Sequence, residues 1–90
     1  MRFESFIWNK QNVEHIARHN VSIDEAEEVF IENPIIFRSR NNSYAAFGKN
    51  ESGRYLPVIF TYKEKGVVRI ITARDMSEKE KKLYKRKRGT

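Results

Sequence analysis

The chain has 90 residues, no cysteine and a formal net charge of +6 at pH 7. This length predicts one small domain, residues 1–90, and the lack of cysteine excludes disulfides and thiolate metal sites. The sequence contains no signal peptide and no apolar run long enough to span a bilayer, so we expect a soluble, cytoplasmic protein without a membrane partner.

The positive charge is concentrated near the C-terminal end. Residues 77–90 contain seven Lys or Arg and two Glu, whereas residues 1–76 are nearly neutral. Five acidic side chains lie within residues 24–32, with no basic side chain among them. Such a bipolar chain predicts an acidic partner for its basic end, namely RNA, DNA or an acidic protein. The alternative is that the lysine-rich end only increases solubility.

The N-terminal part predicts a short strand and a helix. Residues 3–8 alternate loosely between apolar and polar side chains, which is typical of a strand. Asn9 is a suitable N-cap for a helix over residues 10–19. Asn20 stands where glycine usually ends a helix, and asparagine is the next-best residue for a left-handed conformation.

A second helix is predicted from the residues that follow. Ser22 and Glu25 form a capping box, in which each side chain bonds the backbone N–H of the other residue. We expect this helix to end near Glu32, before Pro34. Its acidic side chains are expected to face solvent.

After residue 34 the sequence predicts strands separated by turns. Residues 41–43, 50–53 and 63–66 carry turn signals, and Pro57 suggests an edge position or a bulge. The four strands are predicted at Ile35–Arg38, Tyr44–Lys49, Arg54–Tyr62 and Val67–Arg74. The element order β-α-α-β-β-β-β-α predicts an α+β fold, with one antiparallel sheet and the helices packed on one of its faces.

The last strand leads into a basic helix at about residues 77–88. Strict alternation puts Arg69 and Arg74 on opposite faces of the strand, unless a bulge intervenes. An arginine at the end of a buried strand, beside a helix rich in cations, predicts a phosphate-binding surface.

An ordered set of residues along the chain is similar to the pattern of a known family. The set consists of Trp8, Asn12, His15, Ile16, Arg18, His19 and Val21, then Glu25, Glu27, Glu28, Val29 and Phe30, then Gly53-Arg54 and residues 71–76, and finally Glu80 and Tyr84. It covers about residues 3–86 and resembles the BrnT family of toxins from bacterial type II toxin–antitoxin systems. The chain departs from that pattern at Asn20, where glycine is usual, and at Asn9, where an acidic residue is often found.

The resemblance implies a fold, an activity and partners. Such toxins are similar in fold to the RelE-like ribonucleases. The implied activity is that of an endoribonuclease that cleaves RNA and inhibits translation. The implied partners are the RNA substrate and a BrnA-like ribbon-helix-helix antitoxin that also binds operator DNA. A toxin dimer within the antitoxin complex is a further expectation.

Metal-free RNA cleavage sets the chemistry that the site residues must supply. One group takes the proton of the 2′-hydroxyl, cations stabilise the phosphorane-like transition state, and another group protonates the leaving 5′-oxygen. We expect no cofactor and no metal ion, because the two histidines have no evident third ligand beside them. The candidate catalytic residues are Arg74, Arg69, His19, Glu80 and Tyr84.

Each candidate has a structural alternative. Arg74 can form a salt bridge with Asp75, Glu80 or an acidic side chain of the second helix, and one of the two strand arginines is expected to be structural. His19 can hydrogen-bond within its own helix end. Tyr84, which shares a helix face with Glu80, can anchor the last helix to the core.

The candidate RNA-binding residues are Arg54, Lys81, Lys82 and Lys85, through electrostatic contacts with phosphates. The alternative for Arg54 is an ordinary charge at a strand edge. An alternative function for the whole chain is a non-catalytic module that binds RNA or an acidic protein. Basic charge together with four tyrosines suits single-stranded RNA binding. The lack of an unambiguous acid–base pair favours that module, whereas the family resemblance favours a toxin.

Overall fold

A computed structural model describes residues 1–89. The elements are β1 Ser5–Ile7, α1 Lys10–Ala17, α2 Ile23–Glu28, β2 Ile35–Arg38, β3 Tyr44–Lys49, β4 Tyr55–Lys63, β5 Val67–Ala73 and α3 Glu78–Arg88, with a 3₁₀ turn, Glu64–Gly66, before β5. Their order is the predicted β-α-α-β-β-β-β-α order. The domain predicted over residues 1–90 includes Thr90, which lies outside the described residues.

The five strands form one sheet in the order β1-β5-β4-β3-β2. The pairs from β2 to β5 are antiparallel, so the predicted meander is confirmed. β1 is parallel to β5, because α1 and α2 carry the chain away before it re-enters the sheet. The junction is tight: the N–H of Glu4 donates to the carbonyl of Gly66 at 2.8 Å. Gly66 has φ +73°, and a Cβ there would lie 2.6 Å from Glu4 Cγ, so only glycine fits.

Two apolar clusters lie on opposite faces of the sheet. On the α1–α2 face, Ile16 of α1 and Val29, directly after α2, pack with Phe60 of β4. On the other face, here the α3 face, Tyr84 packs with Phe47 of β3. The α+β class is confirmed, and the placement of helices on one face holds for α1 and α2 only. α3 lies on the opposite face, where Leu83 and Tyr84 cover the second apolar cluster.

A bulge in β5 changes which side chains share a face. Phe60 pairs with Ile70 and Ile59 pairs with Thr72, so Ile71 is the extra residue. After the bulge, Ala73 joins the core of the α1–α2 face. The strict alternation that grouped Ala73 with Arg69 was therefore wrong.

The same bulge brings the two strand arginines to one side. Arg69 lies before the extra residue and Arg74 directly after β5, so the change in alternation puts both on the α3 face. A shared face was expected only if a bulge intervened, and the bulge at Ile71 is that feature. They are five residues apart along the strand, however, which is a distance of about 16 Å.

The helices α1 and α2 are shorter than predicted. α1 ends at Ala17 rather than at residue 19, and Asn20 adopts φ 59°, the left-handed conformation expected for it. α2 ends at Glu28 rather than near residue 32, and turns lead from there to Asn33, at φ 52°. None of the helices in residues 1–89 has the length and apolar content that crossing a bilayer requires.

The acidic side chains of α2 and Pro57 also have defined places. Glu27 accepts a hydrogen bond from Trp8 Nε1 at 2.8 Å, and Glu28 accepts one from the backbone N–H of Glu51 at 3.2 Å. The expectation that the acidic side chains of this helix face solvent was therefore wrong for Glu27 and Glu28, whereas Asp24 is exposed. Pro57 lies beyond the last β4–β5 pair, Val58 with Ala73, so β4 is locally an edge there and tolerates the missing N–H.

Candidate functional site

The start of α3 is fixed by a capping box that also holds an arginine. Ser77 Oγ accepts the N–H of Glu80 at 3.1 Å, and Glu80 Oε1 accepts the N–H of Ser77 at 2.9 Å. The guanidinium of Arg74 donates a hydrogen bond to each oxygen of the same carboxylate, at 2.7 and 2.9 Å. Chiefly because of this hydrogen bond, the pKa of Glu80 lies below its usual value and that of Arg74 above it. Two predicted catalytic residues are thus brought into contact, as the salt bridge that the sequence left open.

Arg54 joins three parts of the chain that are distant in sequence. Its Nε donates to Asp75 at 2.7 Å, and its Nη1 donates to Glu25 at 3.1 Å and to the carbonyl of Asn20 at 2.6 Å. Its Nη2 donates to the carbonyl of His19 at 3.2 Å. Nη2 also donates to Asp75 at 3.3 Å, so all five N–H donors of Arg54 have an acceptor, and the side chain is only 22% exposed. The contacts give Arg54 a structural role, although its predicted RNA binding stays a prediction.

These groups are called the arginine cluster below: Arg54 and Arg74 with the carboxylates of Glu25, Asp75 and Glu80. The pKa of Asp75 lies below its usual value, first because it accepts a hydrogen bond from Arg54. The pKa of Glu25 is also lowered, first by the backbone N–H of Ser22 and further by Arg54. Each guanidinium is neutralised locally, so the cluster works as a joint between α1, α2, β4 and α3.

The two histidines lie beside this joint on α1 and the turn after it. Both are exposed, and their ring centroids are 5.7 Å apart. The backbone carbonyl of His19, not its imidazole, contacts the arginine cluster. Among the described residues, no group of three His, Asp or Glu side chains is arranged to hold a metal ion. His19 keeps an imidazole that is open to solvent at the edge of the cluster.

On the other side of α3, three lysines converge on one aromatic ring. The Nζ atoms of Lys49, Lys81 and Lys85 lie 5.6, 5.9 and 5.3 Å from the ring centroid of Tyr55. Lys49 and Tyr55 are cross-strand neighbours in β3 and β4, while the other two lysines are one turn apart on α3. Tyr84 meets Tyr55 edge to face, with centroids 5.9 Å apart.

These side chains line an open groove of about 550 Å³, called the lysine groove below. It is formed by Lys49, Tyr55, Lys81, Tyr84, Lys85 and Arg88. Arg88 lies over the ring of Tyr84 at 5.7 Å and donates to the carbonyl of Asn33, which holds the end of α3 near β2. In residues 1–89, Lys49 and Lys85 make no ion pair with a carboxylate, and Lys81 pairs with Glu78 at 3.3 Å. Glu32 and Glu51 also line the groove, so its cations outnumber its carboxylates and are not all neutralised by direct pairing.

The remaining predicted residues are spread over the α3 face. Tyr84 is 6% exposed and packs in the core of that face, which agrees with its anchoring alternative. Lys82 is exposed, away from Tyr55. Arg69 is exposed opposite Thr61 of β4. The structure thus brings Arg74 together with Glu80, and Tyr84 together with Lys81 and Lys85.

Sequence reasoning did not single out Lys49. A lone lysine before a turn carries no local signal, and only the β3–β4 register and the placement of α3 put it beside Tyr55. Tyr55 was noted only as one of four tyrosines that suit RNA binding.

Known proteins resemble this chain both in sequence pattern and in fold. Residues 8–80 match the family model described as a ribonuclease toxin, BrnT, of a type II toxin–antitoxin system. No curated protein sequence matches the chain. Among solved structures, the 1.1 Å crystal structure of the Brucella abortus ribonuclease toxin, BrnT, is similar with a TM-score of 0.69. The match has 22% sequence identity and covers 82% of this chain and 97% of the Brucella chain, so it supports the fold.

Proposed function

The chain belongs to the BrnT family of ribonuclease toxins of type II toxin–antitoxin systems, and we propose that it is an endoribonuclease that cleaves RNA without a metal ion and so inhibits translation. We further propose that residues 1–90 act as one toxin domain in the cytoplasm. The observation that carries the proposal is the Arg74–Glu80 pair. The two terminal nitrogens of Arg74 donate to the Glu80 carboxylate at 2.7 and 2.9 Å, at the solvent-exposed start of the basic helix α3.

The Arg74–Glu80 pair can supply two groups that RNA cleavage requires, a cation for the phosphate and a base for the 2′-hydroxyl. A guanidinium that donates to two carboxylate oxygens can donate to two non-bridging phosphate oxygens in the same geometry. When the scissile phosphate takes the place of Glu80 on Arg74, the guanidinium stabilises the charge that develops on phosphorus. The released carboxylate of Glu80 then takes the proton of the 2′-hydroxyl.

The bond changes balance without a further reactant. The 2′-oxygen attacks phosphorus, the bond from phosphorus to the 5′-oxygen breaks, and a cyclic phosphate and a 5′-hydroxyl end are left. We propose His19 as the acid that protonates the 5′-oxygen, because imidazole exchanges protons near neutral pH. Lys81, Lys82 and Lys85 hold the RNA backbone, Arg69 supplies a further cation on the same face, and Tyr84 fixes α3. The guanidinium replaces the charge that a metal ion supplies in other nucleases.

We propose a BrnA-like ribbon-helix-helix antitoxin as the protein partner, with a toxin dimer in the complex. The basic α3, with four cations in its last turn, offers a surface for an acidic antitoxin segment. Hydrogen exchange over residues 77–88 should slow when antitoxin is added. Unchanged exchange there would place the antitoxin elsewhere.

The function is tested by Arg74→Lys in the purified protein. Lysine keeps the positive charge but lacks the paired N–H donors of a guanidinium. We therefore expect the rate of single-turnover cleavage of labelled RNA to fall at least about 100-fold, while RNA affinity changes less than about threefold. Arg86→Lys, the same exchange at an exposed position of α3, is the matched control and should cleave normally.

Two results would contradict the proposal. Equal cleavage by Arg74→Lys and the control would remove Arg74 from the chemistry. Tight RNA binding by a wild-type protein that cuts no RNA would favour the non-catalytic binding module.

A further inference from the structure

We propose that the lysine groove binds one nucleotide of the RNA substrate, with its base stacked on Tyr55 and its phosphates held by Lys49 and Lys85. This inference rests on the proposed function, because it identifies single-stranded RNA as what the groove takes. It gives a role to Lys49 and Tyr55, two residues that take no part in the proposed cleavage steps.

The convergence of the lysines is a product of the fold. Lys49 comes from the end of β3, whereas Lys81 and Lys85 come from α3, and all three ammonium groups lie within 6 Å of one ring centroid. Like charges brought this close repel one another unless an anion lies between them. Of the three lysines, only Lys81 has a carboxylate partner, Glu78, within residues 1–89. A phosphate bound among them supplies the missing negative charge.

The groove has the size and the aromatic surface that a nucleotide needs. Its volume of about 550 Å³ lies within the roughly 300–1,000 Å³ typical of small-ligand sites. Tyr55 is half-buried in the floor and offers a ring for base stacking, which is tolerant of sequence. A base that stacks there displaces the ammonium groups from the ring toward the phosphates of the same nucleotide.

A second observation points to a ligand in the same place. Asn50 lines the groove and is 3% exposed, and its Nδ2 has no hydrogen-bond acceptor among the described residues. Its Oδ1 is already used, because it accepts from Ser52 Oγ and from the N–H of Arg54, each at 2.9 Å. A buried donor without an acceptor is costly. A phosphate, sugar or base oxygen in the groove would satisfy it after a small shift.

The wall charges favour a nucleotide over an acidic peptide. Glu32 and Glu51 line the groove together with the cations. Their carboxylates accept hydrogen bonds from the amino groups of a base, and the side chains of an acidic peptide offer no such donors. Cations for phosphate, a ring for stacking and carboxylates for base amino groups together match a nucleotide.

The groove and the proposed cleavage residues belong to one RNA path. Lys81 Nζ lies 5.9 Å from the ring centroid of Tyr55 in the groove, and Glu80, directly before Lys81 in α3, holds Arg74 at 2.7 Å. Arg74 and the groove are therefore both placed at the first turns of α3. The nucleotide in the groove is thus a neighbour of the one that is cut, held so that the scissile phosphate reaches Arg74.

Binding is measured with a fluorescent 2′-O-methyl oligonucleotide, which lacks the reactive hydroxyl and cannot be cleaved. We expect Lys49→Gln/Lys85→Gln to bind at least about tenfold more weakly and to lower the slope of log affinity against log salt by about 1.4, the loss of two phosphate contacts. Tyr55→Leu should weaken binding about tenfold, and much less on an abasic oligonucleotide. Lys79→Gln, an exposed lysine at the start of the same helix, is the control for charge.

The outcomes separate this inference from the proposed function. If the groove variants bind like Lys79→Gln while Arg74→Lys has lost cleavage, the groove is not a nucleotide site but the toxin chemistry stands. If the groove variants lose binding and the wild type cuts no RNA, the nucleotide site stands and the ribonuclease proposal fails. Loss of polyglutamate binding with unchanged oligonucleotide binding would instead make the groove a peptide site. Matched circular dichroism and melting temperatures confirm that the variants are folded.

Discussion

The arginine cluster and the lysine groove lie on two sides of the first turns of α3, and they use positive charge in opposite ways. In the cluster, each guanidinium is bound to carboxylates that the protein itself supplies. In the groove, Lys49 and Lys85 contact an aromatic ring and, within residues 1–89, no carboxylate. Paired cations hold elements of the fold together, whereas unpaired cations that converge from different elements indicate a site for an external anion.

Within the cluster, the two arginines also differ. The Arg54 side chain is 22% exposed and contacts several elements, whereas the Arg74 side chain is 46% exposed and holds a single carboxylate. The guanidinium of Arg74 is therefore the one that an external phosphate can reach. We propose on this difference that Arg54 has the structural role and Arg74 the chemical role.

The strongest test of the comparison is the stability of Arg54→Ala. The variant leaves Glu25, Asp75 and two backbone carbonyls without their donor, so we expect the free energy of unfolding to fall by about 2 kcal/mol. This is less than for a fully buried pair, because Asp75 is 66% exposed and screened by water. Urea denaturation measures it, and Arg86→Ala on exposed α3 should change by less than about 0.5 kcal/mol. Equal effects of the two variants would remove Arg54 as the joint of the fold.

Glu80→Gln tests the cluster by pH. The folded-state pKa of Glu80 is lowered, first by the hydrogen bond from Arg74 and also by the N–H of Ser77. Its stabilising effect is therefore fully present above the unfolded pKa of roughly 4.3 and is lost as pH falls through the folded pKa. We expect the variant to be about 1 kcal/mol less stable at pH 7, with the deficit disappearing toward pH 2.

Lys49→Gln is the matched comparison for that pH series. Within residues 1–89, Lys49 makes no ion pair with a carboxylate, so the acid limb of the stability curve should run parallel to that of the wild type. A deficit of Glu80→Gln that persists at low pH would show that the carboxylate charge is not what Arg74 and the helix end recognise.

Features that depend on short segments could be predicted from the sequence. The capping box of Ser22 and Glu25, the left-handed Asn20 and the order of the elements follow from residues that are neighbours in the chain. The arginine–carboxylate pair at the start of α3 was one of the stated alternatives, because Arg74 and Glu80 are only six residues apart.

Features set by distant contacts could not be predicted in this way. The bulge at Ile71 depends on how β5 pairs with β4, and the side of the sheet that α3 covers depends on the packing of Tyr84 and Leu83. Lys49 enters the lysine groove only through the β3–β4 register and the placement of α3, since neither its neighbours nor its spacing distinguish it from other surface lysines. The part of the site most dependent on tertiary structure was therefore the part that sequence reasoning missed.

The smallest expected effect has the opposite sign from the first. Since the ammonium groups of the lysine groove repel one another, Lys49→Gln/Lys85→Gln should raise the free energy of unfolding by about 0.3 kcal/mol at low salt, although the same variant is expected to lose RNA affinity. The gain should disappear near 0.5 M salt, where exposed charges are screened over about 4 Å. Urea denaturation at the two salt concentrations measures it, with Lys79→Gln as control. If the double variant were instead destabilised at low salt, these lysines would be structural groups like Arg54, and the contrast between groove and cluster would not hold.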